Sequence, residues 1–216
     1  SYAKYMRQIG SSFSRDYIAN TLANYPKIAN LLVQLFQQKF DPKTKRSSKA
    51  EETTLNTIKE QLENVSNLDD DRIICRYLDL ILATMRSNFY QKDELGNQKS
   101  YVSYKMLPEL IPEMPLPRPK FEIFVYSPRI EGVHLRGGKV ARGGLRWSDR
   151  QEDFRTEILG LVKAQQVKNT VIVPVGAKGG FVCKNLPMGQ GREAFQKEGQ
   201  ECYKIFIRSL LDITDN

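Results

Sequence analysis

The sequence has few of the residues that build metal sites and disulfide frameworks. Its 216 residues include one histidine, His134, and three cysteines, Cys75, Cys183 and Cys202, which lie far apart and form no CxxC pair. A single histidine cannot build a histidine-based metal site alone, and an odd number of scattered cysteines argues against a disulfide framework. We therefore predict no metal site and a reducing compartment, by default the cytoplasm.

Long apolar runs are missing as well. No segment approaches the ~20 apolar residues of a membrane-spanning helix. The opening stretch SYAKYMRQIG lacks the apolar core of a secretion signal. We therefore predict neither a membrane span nor secretion. Because the sequence starts without Met and ends abruptly at LLDITDN, we also expect it to be a piece of a longer protein.

The composition leaves room for a packed core and favours anionic partners. Hydrophobic residues make up 40% of the chain and charged residues 27%, which argues against global disorder. The formal net charge of +8 suits nucleic acid, an acidic membrane surface or a small anionic substrate. Charge alone does not choose among these partners.

The first part of the chain, residues 1–95, has the apolar spacing of helices. Apolar residues recur three and four positions apart in SRDYIANTLANYPKIANLLVQLFQQKF, in ETTLNTIKEQLENV and in DDDRIICRYLDLILATMRSNFY. Ser14 is suited to cap the first helix, and Pro26 is expected to break it in two. We predict a helical region here, with no visible catalytic chemistry.

The rest of the chain changes to alternating strands and helices. Residues 96–119 contain a short strand, YVSYKM, and a proline-rich connector. In residues 120–216 the strand patterns FEIFVYS, VHLRGG, VARGGLRW, TVIVPV and GFVCK are interspersed with helical patterns starting at FRTEIL and REAFQK. Ser148 or Asp149 is positioned to cap the first of these helices. This order predicts an open α/β segment.

Three glycine pairs, each with basic residues beside it, indicate a ligand site. The pairs are Gly137-Gly138, Gly143-Gly144 and Gly179-Gly180. Glycine lets backbone N–H groups approach an anion, although tight turns explain any single pair equally well. Arg142 and Lys178 each come directly before a pair, and two cations in the same local setting suit a doubly anionic small substrate.

Two further polar residues fall on the inward face of a predicted helix. Gln165 and Lys168 lie three positions apart, on or beside the face that carries Ile158 and Val162. A lysine drawn into the interior needs an anionic partner, but Lys168 can instead extend to solvent from the helix end. The stretch VIVPVGAKGGFV predicts that a buried strand, followed by a glycine turn, holds Lys178 rigidly.

Two phosphate-binding patterns and a basic run are weaker signals. GAKGG lacks the GxxxxGK[ST] of a P-loop, and GQGREA, which formally matches GxGxxA, does not follow directly from a strand. The run KTKRSSK is typical of a solvated loop. A basic nucleic-acid-binding module remains an alternative, which salt-sensitive binding to DNA or RNA would reveal.

The stretch ARGGLRWSDRQEDFRTEILGLVKAQQVKNTVIVPVGAKGGFV resembles the substrate domain of the glutamate dehydrogenase superfamily. The longer frame from PRPKFEIFVYSPRIEGVHLRGG is similar to the large NAD-specific glutamate dehydrogenases of bacteria. YAKYMRQIG and LFQQKFDP resemble the helical segment before the catalytic domain of those enzymes. The resemblance implies NAD-dependent oxidation of L-glutamate to 2-oxoglutarate and ammonium, by a cytoplasmic homo-oligomer without nucleic-acid or membrane partners. An amino-acid dehydrogenase with another substrate is the alternative.

The resemblance also implies roles for individual residues. Lys178 matches the catalytic lysine, which in its neutral form activates water and polarises the substrate carbonyl. Gln165 and Lys168 match residues that hold the α-carboxylate of the substrate. Arg142 stands where smaller members have a lysine that binds the side-chain carboxylate, and an arginine fork can perform the same task. The resemblance assigns the pocket walls to five glycines: Gly143, Gly144, Gly176, Gly179 and Gly180.

Two parts of the family's catalytic machinery are expected outside this chain. Members of the family need a catalytic aspartate in a proline-rich stretch downstream, and a Rossmann domain that binds NAD. Neither pattern occurs in the sequence. We therefore expect the isolated chain to be inactive.

Overall fold

The computed structural model describes residues 1–139, 142–169 and 175–214, apart from the side chains at positions 168 and 169. In this part of the chain the helices are α1 (Tyr2–Gln8), α2 (Arg15–Asn24), α3 (Pro26–Phe40), α4 (Ser48–Leu62), α5 (Leu68–Ala83), α6 (Phe154–Asn169) and α7 (Arg192–Leu211). The strands are β1 (Thr84–Ser87), β2 (Val102–Met106), β3 (Phe121–Tyr126), β4 (Ile130–Arg136), β5 (Leu145–Ser148) and β6 (Ala177–Cys183). The predicted α/β fold is confirmed.

The six strands form one mixed sheet with the order β1-β2-β3-β4-β6-β5. Neighbouring strands are antiparallel except at one edge, where β5 and β6 run parallel. A parallel pair needs a crossover connection, and α6 lies between these two strands in the chain. The β5-α6-β6 unit therefore contains most of the candidate site residues.

One apolar core joins the N-terminal helices to the sheet. Tyr5 of α1 and Ile18 of α2 belong to the same buried cluster as Phe124 of β3 and Ile158 of α6. The rings of Tyr5 and Phe124 lie 5.1 Å apart between centroids. The helical region is thus part of the layer that covers one face of the sheet.

Two further cores complete the structure. α7 covers the opposite face of the sheet, where Phe206 and Cys202 pack with Ile123 and Phe181. A third cluster lies among α3, α4 and α5 and includes Leu35, Ile58 and Ile74. The three cysteines are free thiols.

Local sequence signals set the ends of α2 and α3 as predicted. Ser14 caps α2, and its Oγ accepts a hydrogen bond from the backbone N–H of Tyr17 at 3.1 Å. α2 ends at Asn24 and α3 begins at Pro26, which confirms the predicted break. Proline fits the first position of a helix because its missing N–H would have no partner there.

The helix predicted over DDDRIICRYLDLILATMRSNFY is too long. α5 ends at Ala83, and Thr84–Ser87 form β1, which pairs with β2 at the edge of the sheet. The partner strand supplies backbone hydrogen bonds that the local apolar pattern cannot reveal. β1 thus lies within residues 1–95, where we predicted a helical region, and the domain limits at 95 and 119 stay a prediction.

The GAKGG stretch is not a turn, contrary to the prediction. Lys178, Gly179 and Gly180 lie within β6, between β4 and β5. β5 begins at Leu145, later than the strand predicted over VARGGLRW, whose residues 140 and 141 lie outside the described residues. Of the strand predicted over residues 170–175, residues 170–174 lie outside the described residues.

The predicted cap of α6 is also wrong. Ser148 and Asp149 come several residues before the helix begins. The Ser148 hydroxyl instead donates to Glu157 Oε2 at 2.5 Å. The backbone N–H of Arg155, in the first turn of α6, donates to the Gln8 Oε1 atom of α1 at 3.2 Å. A side chain from a distant part of the sequence therefore takes the place of a local cap.

Candidate active site

The segment before β5 runs alongside the start of β6. Ala177 N–H donates to the Arg142 carbonyl at 2.8 Å, and Gly179 N–H donates to the Gly144 carbonyl at 3.2 Å. A Cβ on Gly143 would collide with the backbone of Ala177, so the close approach requires glycine at this position. These contacts bring Arg142 beside the strand that carries Lys178, although the two are far apart in sequence.

Lys178 faces the side of the sheet that α6 covers. It lies directly opposite Leu135 of β4 in the antiparallel register, and opposed residues share one face of a sheet. Leu135 belongs to the core beneath α6. The Lys178 side chain is half-buried, and its Nζ lies 4.0 Å from the place that a Cβ on Gly144 would occupy. Glycine at position 144 therefore leaves space beside the amine.

Gln165 reaches the same end of the sheet from α6. Its side-chain amide lies against Gly176, where a Cβ would collide with the Gln165 Nε2 atom and with the Arg142 carbonyl oxygen. Arg142 and Gly144 are exposed, while Gln165 is half-buried. The structure thus brings together Arg142, Gln165 and Lys178; the side chain of Lys168 lies outside the described part of the chain.

The last two predicted glycines contact packing residues. A Cβ on Gly179 would meet Leu145 and His134 at 2.5 and 2.9 Å, on the face away from α6. A Cβ on Gly180 would collide with Ile158 of α6. Both positions allow the strand to approach its neighbours closely, and their part in the pocket wall stays a prediction.

A fully buried ion pair fixes α6 to the centre of the sheet. The Arg155 guanidinium donates from Nε and from one terminal nitrogen to the two oxygens of Glu122 in β3, both at 2.7 Å, and both side chains are 0% exposed. Burial alone would lower the pKa of Arg155, but the Glu122 carboxylate outweighs it, so the pKa is raised above its ordinary value.

Arg155 was not among the residues predicted from the sequence, although a signal was available. Arg155 precedes Ile158, Leu159 and Val162 by three, four and seven positions, so it lies on the apolar face of the helix. A charged residue in that place predicts a buried partner. No pattern in the sequence identifies Glu122 as the partner, because the two residues meet only in the fold.

A second ion pair ties α6 to the strand that follows Arg142. The Arg146 Nε atom of β5 lies 2.5 Å from Glu157 Oε1, and the other oxygen of Glu157 accepts from Ser148. The Arg146 side chain is more than half exposed, whereas that of Glu157 is mostly buried. Glu157 therefore holds the segment that carries Arg142 to the helix that carries Gln165.

Two features were not found in the described residues, a group of metal-ligating side chains and a membrane-spanning helix. In residues 1–139, 142–169 and 175–214, no group of three or more His, Cys, Asp or Glu residues is arranged to hold a metal ion. None of the helices described there has both the length and the apolar character needed to cross a membrane.

Two family models match the chain. The model described as "Bacterial NAD-glutamate dehydrogenase, catalytic domain" matches residues 57–216, and the model described as "Glutamate dehydrogenase, helical motif 3" matches residues 1–42. The first match contains the whole β5-α6-β6 unit. The second contains α1, α2 and α3.

Curated bacterial proteins named NAD-specific glutamate dehydrogenase are similar to the whole chain. Those of Halomonas elongata and Pseudomonas aeruginosa are 58% identical to it, and that of Mycobacterium tuberculosis is 49% identical. Each alignment covers 100% of this chain. The chain spans 13% of the length of the first relative and 14% of the other two.

Proposed function

Because the chain belongs to the family of bacterial NAD-specific glutamate dehydrogenases, we propose that it is part of a larger protein that oxidises L-glutamate with NAD to 2-oxoglutarate and ammonium. We call this larger protein the parent protein. One observation carries the proposal: the half-buried Lys178 and the Gln165 amide lie on the same face of the sheet, beside the Arg142–Gly144 segment. We further propose that the parent protein is a cytoplasmic homo-oligomer.

The three side chains suit the three polar parts of glutamate. Arg142 is exposed and can extend its planar guanidinium to the distal carboxylate, which it can bind through two hydrogen bonds. Gln165, with Lys168 one helical turn further along α6, would hold the α-carboxylate. Lys178 would then face the reacting carbon, in the space that Gly144 leaves open.

Lys178 would act as the acid–base group of the hydrolytic half of the reaction. Loss of a hydride from Cα and of a proton from nitrogen converts glutamate to 2-iminoglutarate, and NAD is the co-substrate that takes the hydride. Water then adds to the carbon of the imine, and ammonium leaves to give 2-oxoglutarate. The amine of Lys178 would take the proton from the attacking water and return it to the departing nitrogen.

The described residues do not fit NAD itself. In the described βαβ unit, the β5–α6 turn SDRQED has no glycine and carries Asp149, Glu152 and Asp153, whose charges would repel a pyrophosphate. The GQGREA pattern comes before α7, separated from the end of β6 by several residues. We therefore propose that NAD is bound by a domain outside this chain.

A substrate panel with the parent protein tests the proposal. We expect L-glutamate to reduce NAD with a far higher kcat/KM than norvaline, which has a side chain of similar length without the carboxylate. Faster turnover of an apolar amino acid would favour the alternative of an amino-acid dehydrogenase with another substrate. Failure of every amino acid to reduce NAD would exclude both enzymes.

Arg142 offers a sharper test of substrate choice. Arg142→Ala should cost about 2 kcal/mol or more in transition-state stabilisation for glutamate, the usual loss from a charge-assisted contact. It should leave kcat/KM for norvaline nearly unchanged. Arg15→Ala, which removes an exposed arginine of α2, is the matched control. Equal losses on glutamate and norvaline would show that Arg142 does not bind the distal carboxylate.

A further inference from the structure

Gln8, the last residue of α1, connects the N-terminal helices to the start of α6. Its Nε2 atom donates to the carbonyl oxygens of Gln151 and Glu152, at 3.2 and 3.1 Å. Its Oε1 atom accepts from the backbone N–H of Arg155 at 3.2 Å. One amide side chain thus satisfies the turn before α6 and the first turn of the helix at once.

The hydrogen bond from the Arg155 N–H is buried, whereas the two bonds to the exposed Gln151 and Glu152 are partly buried. Gln8 is 6% exposed, and Arg155 and the neighbouring Tyr5 of α1 are 0% exposed. The first N–H groups of a helix have no partner within the helix, so a buried helix start needs an external acceptor. Gln8 supplies this acceptor, and loss of its amide would leave the buried Arg155 N–H without a partner.

The opposite end of α6 carries the candidate site. Gln165 follows Arg155 by ten residues, which corresponds to roughly 15 Å along a helix at 1.5 Å per residue. An α-helix of this length moves as a nearly rigid rod, so a tilt or shift at its first turn displaces its last turns. The Gln165 amide lies tightly against Gly176, where even a small displacement changes the contact.

We propose that Gln8 is a positioning residue for the dehydrogenase reaction: by fixing the start of α6, it aligns Gln165 with Lys178 and the Arg142–Gly144 segment. This inference rests on the proposed function. It gives the N-terminal helical motif, residues 1–42, an indirect part in the substrate site although none of its side chains lies there. The motif acts through α6, and the buried Arg155–Glu122 pair keeps the helix in register with the sheet.

Kinetics of the parent protein carrying Gln8→Ala test the proposal. We expect KM for L-glutamate to rise about tenfold, as for the loss of one well-placed hydrogen bond, with kcat changed less than about twofold because Lys178 lies on β6. Gln34→Ala, which removes an exposed glutamine of α3 in the same motif, should match the wild type. Gln8→Glu keeps an acceptor for the Arg155 N–H but loses the donor to the carbonyls of Gln151 and Glu152, so it should recover only part of the lost affinity.

A second readout does not depend on activity. Hydrogen exchange of the α6 amides should be faster in Gln8→Ala than in the wild type, from Arg155 through to Gln165, and unchanged in Gln34→Ala. Loss of stability alone would lower the melting temperature but leave KM of the folded molecules unchanged. A lower melting temperature with an unchanged KM in Gln8→Ala would overturn the proposal. Hydrogen exchange along α6 at the wild-type rate in Gln8→Ala would overturn it as well.

The two proposals fail in different ways. If the wild-type parent protein does not oxidise glutamate, the proposed function fails, while faster exchange as far as Gln165 in Gln8→Ala would still support the positioning of α6. If the wild type is active and both Gln8 variants keep its KM, the proposed function stands and the role of Gln8 is wrong.

Discussion

Lys178 is the residue on which the proposed chemistry depends most. It lies in the second position of β6, opposite Leu135 of β4, and the next residue, Gly179, pairs with Leu145 of β5 on the other side. The side chain is half-buried and points to the face covered by α6. A strand fixed on both sides holds a catalytic group more rigidly than the glycine turn that the sequence predicts.

We predict that Lys178→Ala in the parent protein lowers kcat for L-glutamate by about 10²–10⁴-fold, the usual contribution of an acid–base group. Lys178→Arg should lose a similar amount because a guanidinium stays charged at neutral pH. Lys163→Ala, which removes an exposed lysine of α6, is the control. Wild-type turnover in either Lys178 variant, with an unchanged basic limb of the pH profile, would remove this residue from the mechanism.

His134 has a titration that can be followed without interference, because it is the single histidine of the chain. Burial, with a smaller contribution from the charge of Arg136, lowers its pKa from 6.5 to about 4. As the pH falls, the His134 ring is therefore protonated at a higher pH in the unfolded chain than in the folded chain. His134 therefore contributes stability above pH 6.5 that is lost as the pH falls towards 4.

NMR titration of the His134 ring in the isolated chain checks this prediction. The midpoint should lie near 4. Between pH 6.5 and pH 4, the free energy of unfolding should fall more steeply with decreasing pH in the wild type than in His134→Gln. A midpoint near the ordinary value would show that the ring is open to solvent.

At the scale of elements, α6 connects the parts that the site needs. Its first turn is bound to α1 through Gln8 and to β3 through the Arg155–Glu122 pair. The same turn is bound to β5 through Glu157. Its last turns carry Gln165. The helix is therefore held by three different elements at one end and serves the candidate site at the other.

The Arg155–Glu122 pair should matter most when only one partner is removed. In the isolated chain, Arg155→Met should lower the free energy of unfolding by about 3–5 kcal/mol, because it leaves the Glu122 carboxylate buried without a partner. The double variant Arg155→Met/Glu122→Leu should lie much closer to the wild type, because no charge stays buried. Urea unfolding measures both effects.

The neighbouring surface pair provides a control. Arg150 and Asp153 form an ion pair on the turn before α6, with both side chains about half exposed. Arg150→Met should therefore lower the free energy of unfolding far less than Arg155→Met does. If Arg155→Met cost no more than this control, the buried pair would not be what fixes α6 to the sheet.

On the scale of the whole molecule, the helical region and the sheet share one core. Residues of α1, α2, α5, β3 and α6 belong to the same buried cluster. The two family matches, to residues 1–42 and 57–216, thus describe parts that pack together. The chain nevertheless spans only 13–14% of its bacterial relatives, so we expect it to hold the substrate site without the rest of the enzyme.

The isolated chain should therefore fold without being an enzyme. We predict that it neither reduces NAD with L-glutamate nor binds NAD measurably, because its described βαβ unit lacks a glycine-rich turn for a pyrophosphate. Isothermal titration calorimetry with NAD, with the parent protein as the positive control, measures this. Tight stoichiometric binding of NAD to the isolated chain would contradict the proposal that the NAD-binding domain lies outside this chain.

The sequence by itself determined what depends on neighbouring residues and on long motifs. Apolar spacing, the Ser14 cap and Pro26 predicted the N-terminal helices, and the motif from Ala141 to Val182 identified the family that the comparisons confirm. Arg142, Gln165, Lys168 and Lys178 were predicted to converge. The structure places Gln165 and the backbone of Arg142 beside the start of β6, which carries Lys178, whereas the side chain of Lys168 lies outside the described residues. The roles of these four residues stay predictions.

Only the tertiary structure decided what depends on partners far away in the chain. β1 is a strand because β2 pairs with it, and GAKGG is extended because β4 and β5 border it on both sides. Gln8 caps α6 by accepting from the N–H of Arg155, 147 positions later in the chain. Such contacts follow from the positions that folding gives to whole elements, and a hydrogen bond between distant segments leaves no periodic signal in the sequence.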